Sequence, residues 1–237
     1  TILSTLRSKC TTVVHGTSVV VLSDPNPQIR SRNETFSTKE PATLSWIESF
    51  EQDSLFWDVG ANVGLYSVYA AIHGVRVVAF EPSAFNLEFL VRNINLNNVS
   101  SRVDVLPIAT GGTGVSVSEL HLSSTAWGDS QNSFGTKRGQ YGTEIEVAIE
   151  YRVLGVSLDA LVDTLGFRVP DFLKIDVDGI EREIVESGPS VLKQVRGVLI
   201  ELPAIDNDAE RVRECLTQAG LRLELIEGRN SIWSRHV

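Results

Sequence analysis

The chain has 237 residues, with 21 Lys+Arg against 30 Asp+Glu for a net charge of −9, and 42% of it is hydrophobic. A single domain of this size buries about 70–75% of its unfolded surface, and the composition excludes disorder, collagen and coiled coil. The acidic balance argues against a nucleic-acid partner, because Arg7, Lys9, Arg30 and Arg32 against Asp24 make no basic footprint.

Residues 1–50 give few signals and are read as an N-terminal cap or lid segment. Val19-Val20-Val21-Leu22 is a short strand and Asp24-Pro25-Asn26-Pro27 a turn. Pro41 starts a helix with Leu44, Ile47 and Phe50 on one side. From residue 54 the pattern becomes regular. Leu55 to Val59 is an apolar run ending at Gly60, as a buried parallel strand should. Gly64 to Ile72 is a helix with Leu65, Val68, Tyr69 and Ile72 on one face, stopped by Gly74. Val75 to Phe80 is the second strand. Ser83 caps the next helix, whose stripe is Leu87, Leu90, Val91 and Ile94, and Val103 to Ala109 is the third strand.

Residues 110–150 form a loop-rich insertion expected to build part of a binding site. Glycines punctuate Ser/Thr-rich sequence there, and Ser116 to Leu122 alternates like a hairpin strand. A helix over Leu158 to Leu165 precedes a strand over Phe172 to Val177, and a helix follows from Ile180 to Ser187. Val198 to Leu202 is a strand and Ala209 to Ala219 a helix. Two final strands, Leu221 to Glu227 and Ser231 to His236, flank a tight turn. Alternating strands and helices mean a mostly parallel sheet covered on both faces. The last two strands are joined too closely for a crossover, so one strand near the C-terminal edge is antiparallel.

In such a sheet, ligands bind beyond the strands' carboxyl ends where strand order reverses. Three features meet there. In Asp58-Val59-Gly60-Ala61-Asn62-Val63-Gly64, Gly60 allows a sharp turn and Gly64 a tight helix–strand contact, while Asn62 tolerates a left-handed backbone. Glu81 ends the second strand at the distance from the glycine loop that suits a ribose-binding carboxylate. Lys174-Ile175-Asp176-Val177-Asp178-Gly179-Ile180-Glu181 crowds ionisable groups over the sheet centre, with Lys174 and Asp176 on one face. The dinucleotide pattern G-x-G-x-x-G fails at Asn62 and Leu65, and no P-loop is present. A ligand with a ribose, an ammonium and no phosphate matches S-adenosylmethionine, whose sulfonium also gains from acidic neighbours.

At these residues the sequence resembles the FkbM family of S-adenosylmethionine-dependent methyltransferases. The likeness rests on Phe56 to Gly64, on Ala79-Phe80-Glu81-Pro82, and on Ser157-Leu158-Asp159 followed by Phe172 to Gly179 and Glu181. It spans about residues 54–203, and the family usually carries Glu where this chain has Asp178. The resemblance implies a Rossmann-like class I methyltransferase domain over residues 51–237. Its mostly parallel sheet has seven strands, one reversed, with helices on both faces. The implied cofactor contacts are Asp58, Gly60, Asn62 and Gly64 at the methionine end, Glu81 and Pro82 at the ribose, and Ile108-Ala109-Thr110 at the adenine edge.

The implied reaction is methylation of a hydroxyl on a small molecule, natural product or glycan. Removing the hydroxyl proton needs a base, for which Asp176 is the candidate, with Lys174 orienting it or stabilising an alkoxide. No metal ligands are assigned. N-methylation of a small amine and a non-catalytic nucleoside-binding module remain alternatives. No apolar run approaches the roughly 20 residues that span a bilayer, so no membrane partner is expected. The start lacks a secretory-signal pattern, and Cys10 and Cys215 lie far apart in sequence. Both points favour a cytoplasmic protein; oligomeric state stays open.

Overall fold

The structure, a computed structural model, describes residues 5, 9–139 and 141–235, so Arg7 and His236 lie outside the described residues. Strand β1 (Cys10–His15) pairs antiparallel with β2 (Ser18–Ser23). Three helices follow: α1 (Pro27–Glu34), α2 (Phe36–Lys39) and α3 (Pro41–Glu48). Asn26 starts α1 by accepting the Ile29 N–H at 2.8 Å, and Pro27 takes the first helical position, where no N–H is needed. The sequence points to β2 and α3, but not to β1 or α1. Phe50, expected on α3, lies past its end and stacks on Phe172 with ring centroids 3.7 Å apart. Val20, Leu22, Phe36, Leu44 and Ile47 share one buried cluster with Phe56, Val68 and Tyr69 of the following elements.

Continuous apolar runs then build the main sheet. Strand β3 (Leu55–Val59) leads to α4 (Leu65–Ile72), β4 (Arg76–Phe80), α5 (Ala84–Leu96) and β5 (Val103–Leu106). Two details of the expected pattern change. The third strand does not reach Ala109 in this sheet, because Pro107 has no N–H for a ladder, and β6 (Ala109–Thr110) joins a second sheet. On α5, Val91 is 52% exposed and Phe89 is buried in its place, while Ser83 sits at the N-cap without a side-chain capping bond.

The insertion is more ordered than its composition suggests. Strands β7 (Val115–Leu122), β8 (Asn132–Phe134) and β9 (Ile149–Val156) join β6 in a four-stranded sheet of order β6-β9-β7-β8. The alternation of residues 116–122 is thus a strand as expected, but its long partner β9 was not apparent.

After α6 (Leu158–Asp163), capped by Ser157, come β10 (Phe172–Ile175), α7 (Glu181–Glu186), α8 (Pro189–Leu192) and β11 (Gly197–Glu201). Helix α9 (Asp206–Gln218), β12 (Arg222–Glu227) and β13 (Asn230–Ser234) complete the chain. The main sheet has seven strands in the order β12-β13-β11-β10-β3-β4-β5. All pairings from β11 to β5 are parallel, and β13 runs antiparallel to both β11 and β12, as its short turn requires. The chain first builds outward from β3 through β4 to β5, then returns to lay β10 on the other side of β3. The reversal of strand order therefore falls between the ends of β3 and β10.

Alternation sorts the two faces. Phe56, Val77 and Ala79 face the N-terminal segment, α4 and α5, whereas Trp57, Val78, Phe80, Leu173 and Ile175 pack into the opposite core. Among the described residues, no helix is long and apolar enough to cross a membrane.

Candidate active site

The turn after β3 is held by its own neighbours. The N–H groups of Gly60 and Ala61 both donate to the Phe80 carbonyl, at 3.1 and 3.0 Å. The Asn62 N–H donates to Glu81 Oε2 at 2.8 Å, and the Val63 N–H to the Asn62 side chain at 2.9 Å. These are the donors a phosphate-binding loop would offer its ligand, and here they are spent within the fold. Gly60 (φ 84°), Asn62 (φ 51°) and Gly64 (φ 82°) all adopt left-handed backbone. A side chain on Gly60 would collide with the Asp176 carbonyl, so its requirement is the close approach of β3 and β10. At Gly64 the expected helix–strand contact is instead helix on helix: a side chain there would strike Leu90 of α5.

Beside this turn lies a cavity of about 320 Å³, within the size range of cofactor sites. Gly60, Asn62, Glu81, Pro82, Ile108, Ala109, Thr110 and Asp176 lie on its wall; Asp58, Gly64 and Lys174 do not. Glu81 is only 4% exposed. Its second oxygen accepts the Ser83 N–H at 2.8 Å. Burial pushes its carboxyl up to about 7, against the downward pull of the Ser83 and Asn62 N–H groups. Thr110 Oγ1 is buried without a partner, a polar atom left for a ligand to satisfy.

Asp58 and Lys174 are register partners on β3 and β10, and both side chains are buried. Asp58 accepts a 2.5 Å hydrogen bond from Ser67 of α4, and burial raises its carboxyl despite the nearby Lys174 charge. Lys174 donates to Asp176 Oδ2 at 2.6 Å and lies 4.9 Å above the Tyr66 ring. Burial alone would raise the Asp176 carboxyl, but the charge and hydrogen bond of Lys174 hold it below the usual range. Lys174 thus favours the ionised form of Asp176. Lys174 bonds Asp176 without itself reaching the cavity wall.

Glu201, at the end of β11, escaped the sequence reading. Ile175 is in register with Ile200, so Asp176 and Glu201 are the next residues on adjacent strands. Both line the cavity. Glu201 is ion-paired to Arg229 from the turn before β13. Burial, then the Asp176 charge, raises its carboxyl. A charge series thus runs Lys174, Asp176, Glu201, Arg229 from β10 across the end of β11 to the turn before β13. A lone carboxylate ending a strand carries no sequence signal; only the register reveals its neighbour.

A model described as the methyltransferase FkbM domain matches residues 58–223. The chain belongs to the FkbM methyltransferase family. It is 28% identical over 182 residues to the hexuronic acid methyltransferase AglP of Haloferax volcanii, covering 76% of this chain and 68% of that one. It is also 28% identical over 178 residues to the methyltransferase sdnD of Sordaria araneosa, covering 65% and 68%. A precorrin-6y C5,15-methyltransferase structure from Geobacter metallireducens superposes with a TM-score of 0.49 at 14% identity, covering 83% of this chain and 87% of that one.

The FkbM enzyme is an S-adenosylmethionine-dependent methyltransferase with a Rossmann-like fold. The residues present fit that cofactor: a buried carboxylate at Glu81, an unpartnered hydroxyl at Thr110, a narrow floor at Gly60 and turn N–H groups from Gly60 to Val63 already bonded within the fold. Trp46, Trp127, His73, His121 and Tyr141 do not line the cavity. Trp46 packs among Phe50, Phe56 and Phe172, and Trp127 packs on Phe89. His73 bonds Ser18 and His121 bonds Glu150. Tyr141 is 70% exposed, with Arg229 5.9 Å from its ring.

Proposed function

We propose that this methyltransferase methylates a hydroxyl of a sugar or similar polyol, with Glu201 as the group that takes the hydroxyl proton. The observation that carries this reading is Glu201 on the cavity wall beside an ionised Asp176. When bound, S-adenosylmethionine supplies a methyl group on a positively charged sulfur. Lys174 favours the ionised form of Asp176, and burial, then the Asp176 charge, raises the proton affinity of Glu201, as a general base requires. Arg229 fixes the orientation of Glu201.

Glu81 and Pro82 are assigned to the ribose side, and Ile108, Ala109 and Thr110 to the adenine edge. Gly60 and Asn62 shape the turn at the methionine end; Asp58 and Gly64 support it from behind. The N-terminal segment, through Arg32, Lys39 and Glu40, and the insertion, through Leu120, Ser130, Asn132 and Phe134, supply the remaining walls. This supports reading residues 110–150 as the part that admits the acceptor, with the N-terminal segment closing the cavity. The hexuronic acid named for the Haloferax relative supports a sugar acceptor.

The test is methyl transfer from labelled S-adenosylmethionine to a panel of uronic acids, neutral glycosides and amines. The expected result is label in an alkali-stable ether on a sugar. Glu201→Gln should then lower kcat about 10²–10⁴-fold while S-adenosylhomocysteine binds as in the wild type. Label only in amines, or full activity in the variant, overturns the assignment.

A further inference from the structure

On the assignment proposed above, the nucleoside of the cofactor lies against residues after β4 and β5, but the residue expected at its amino-acid end, Asp58, is buried and off the cavity wall. That end is a zwitterion, and each of its charges needs an opposite charge once water is displaced. With the ribose at Glu81 and the base at Ile108–Ala109, the amino acid has to run toward the β3–β10 junction.

The cations on the cavity wall, among the described residues, are Arg32, Lys39 and Arg229. Arg229 is paired with Glu201 on the β11 side. Arg32 and Lys39 come from the N-terminal segment. Arg32 is steadied by donating from Nε to the Gly128 carbonyl at 3.1 Å. Lys39 lies 3.4 Å from Glu40 and shares the cavity wall with Gly60 and Asp176 at the junction. Glu40 is built in: its side chain is 13% exposed, and its Oε2 accepts from Thr43 at 3.2 Å.

We propose that Lys39 and Glu40, assisted by Arg32, form the subsite for the amino-acid end of the cofactor. Lys39 and Arg32 take the carboxylate and Glu40 the ammonium. Neighbouring residues of opposite charge between α2 and α3 match the two charges that an α-amino acid carries on one carbon. The inference rests on the family's use of S-adenosylmethionine and is independent of the acceptor.

Two ligands test it by calorimetry on the whole chain. S-Adenosylhomocysteine carries the zwitterion; 5′-methylthioadenosine keeps the nucleoside and sulfur but lacks the amino acid. Lys39→Ala and Glu40→Gln should each weaken S-adenosylhomocysteine about 10- to 100-fold, the scale of a hydrogen bond to a charged group. Both should leave 5′-methylthioadenosine within about twofold. Because Glu40 also anchors Thr43, the exposed Lys39 provides the variant whose folding is secure, and melting curves check both. Unchanged S-adenosylhomocysteine affinity in Lys39→Ala, or equal weakening of the two ligands, overturns the subsite. Failure of the wild type to bind either ligand overturns the cofactor reading itself.

Discussion

Gly60 and Asp176 meet backbone to backbone: the position a Gly60 side chain would take is already filled by the Asp176 carbonyl oxygen. The Asp176 N–H in turn donates to the Val59 carbonyl at 3.0 Å, so the two strand ends are bonded where strand order reverses. Gly60→Ala must both adopt φ 84° and push the β10 end away. The expected loss is roughly 1–3 kcal/mol of stability, read by urea denaturation. S-Adenosylhomocysteine binding should fall with it, because the displaced carbonyl lies on the cavity floor. A variant that binds and melts like the wild type would show the contact to be dispensable.

If the Glu81 carboxylate accepts the ribose hydroxyls, only its ionised form does so fully. Its carboxyl is pushed up to about 7 in the free protein. S-Adenosylhomocysteine affinity should therefore rise with pH toward about 7 and flatten above it. Binding near pH 6 should release protons, measurable by calorimetry in buffers of different ionisation heat. In Glu81→Gln this pH dependence should vanish.

Glu181 is 1% exposed, with Oε2 unpartnered and Oε1 accepting the Gly179 N–H at 3.2 Å. Burial drives its carboxyl up to about 8, from an ordinary value of 4.5. Between these values the folded chain keeps a proton that the unfolded chain releases, so this group makes stability fall as pH rises from about 4.5 to about 8. Glu181→Gln removes the titration and keeps the shape. It should be more stable than wild type at pH 8, by on the order of 2–5 kcal/mol, and the gap should shrink toward pH 4.5. Paired denaturation curves at several pH values measure it.

Lys174→Met would leave Asp58 and Asp176 without their buried cation. The expected cost is about 3–5 kcal/mol, seen as a lower melting temperature. Adding Asp176→Asn should recover part of it, since one uncompensated charge is then removed.

The parallel half of the fold was legible because its strands are buried on both faces and read as unbroken apolar runs, as at Leu55–Val59 and Gly197–Glu201. The reversed final strand followed from the shortness of the turn that joins it to β12. Strand β9 was hidden because it begins Ile149-Glu150-Tyr151-Arg152, half exposed, and its identity comes from pairing with β7 across more than 25 residues. Helix α1 is polar along most of its length, and only Ile29 and Asn33 are buried. Within the site, the glycine turn and Glu81 were visible as a spacing, whereas burial alone moved Asp58 off the cavity wall. Arg32, Lys39 and Glu40 enter the wall through tertiary packing, which no local pattern records.

The insertion begins and ends at the same place. Ala109 and Thr110 of β6 lie in parallel register with Gly155 and Val156 of β9, so the chain leaves and rejoins the main body through one doorway. An excursion whose two feet are stitched together can be lengthened, trimmed or replaced at little entropic cost to what it stands on. Evolution and engineering alike can thus rewrite the cavity wall that Leu120, Asn132 and Phe134 supply while the main sheet keeps its shape.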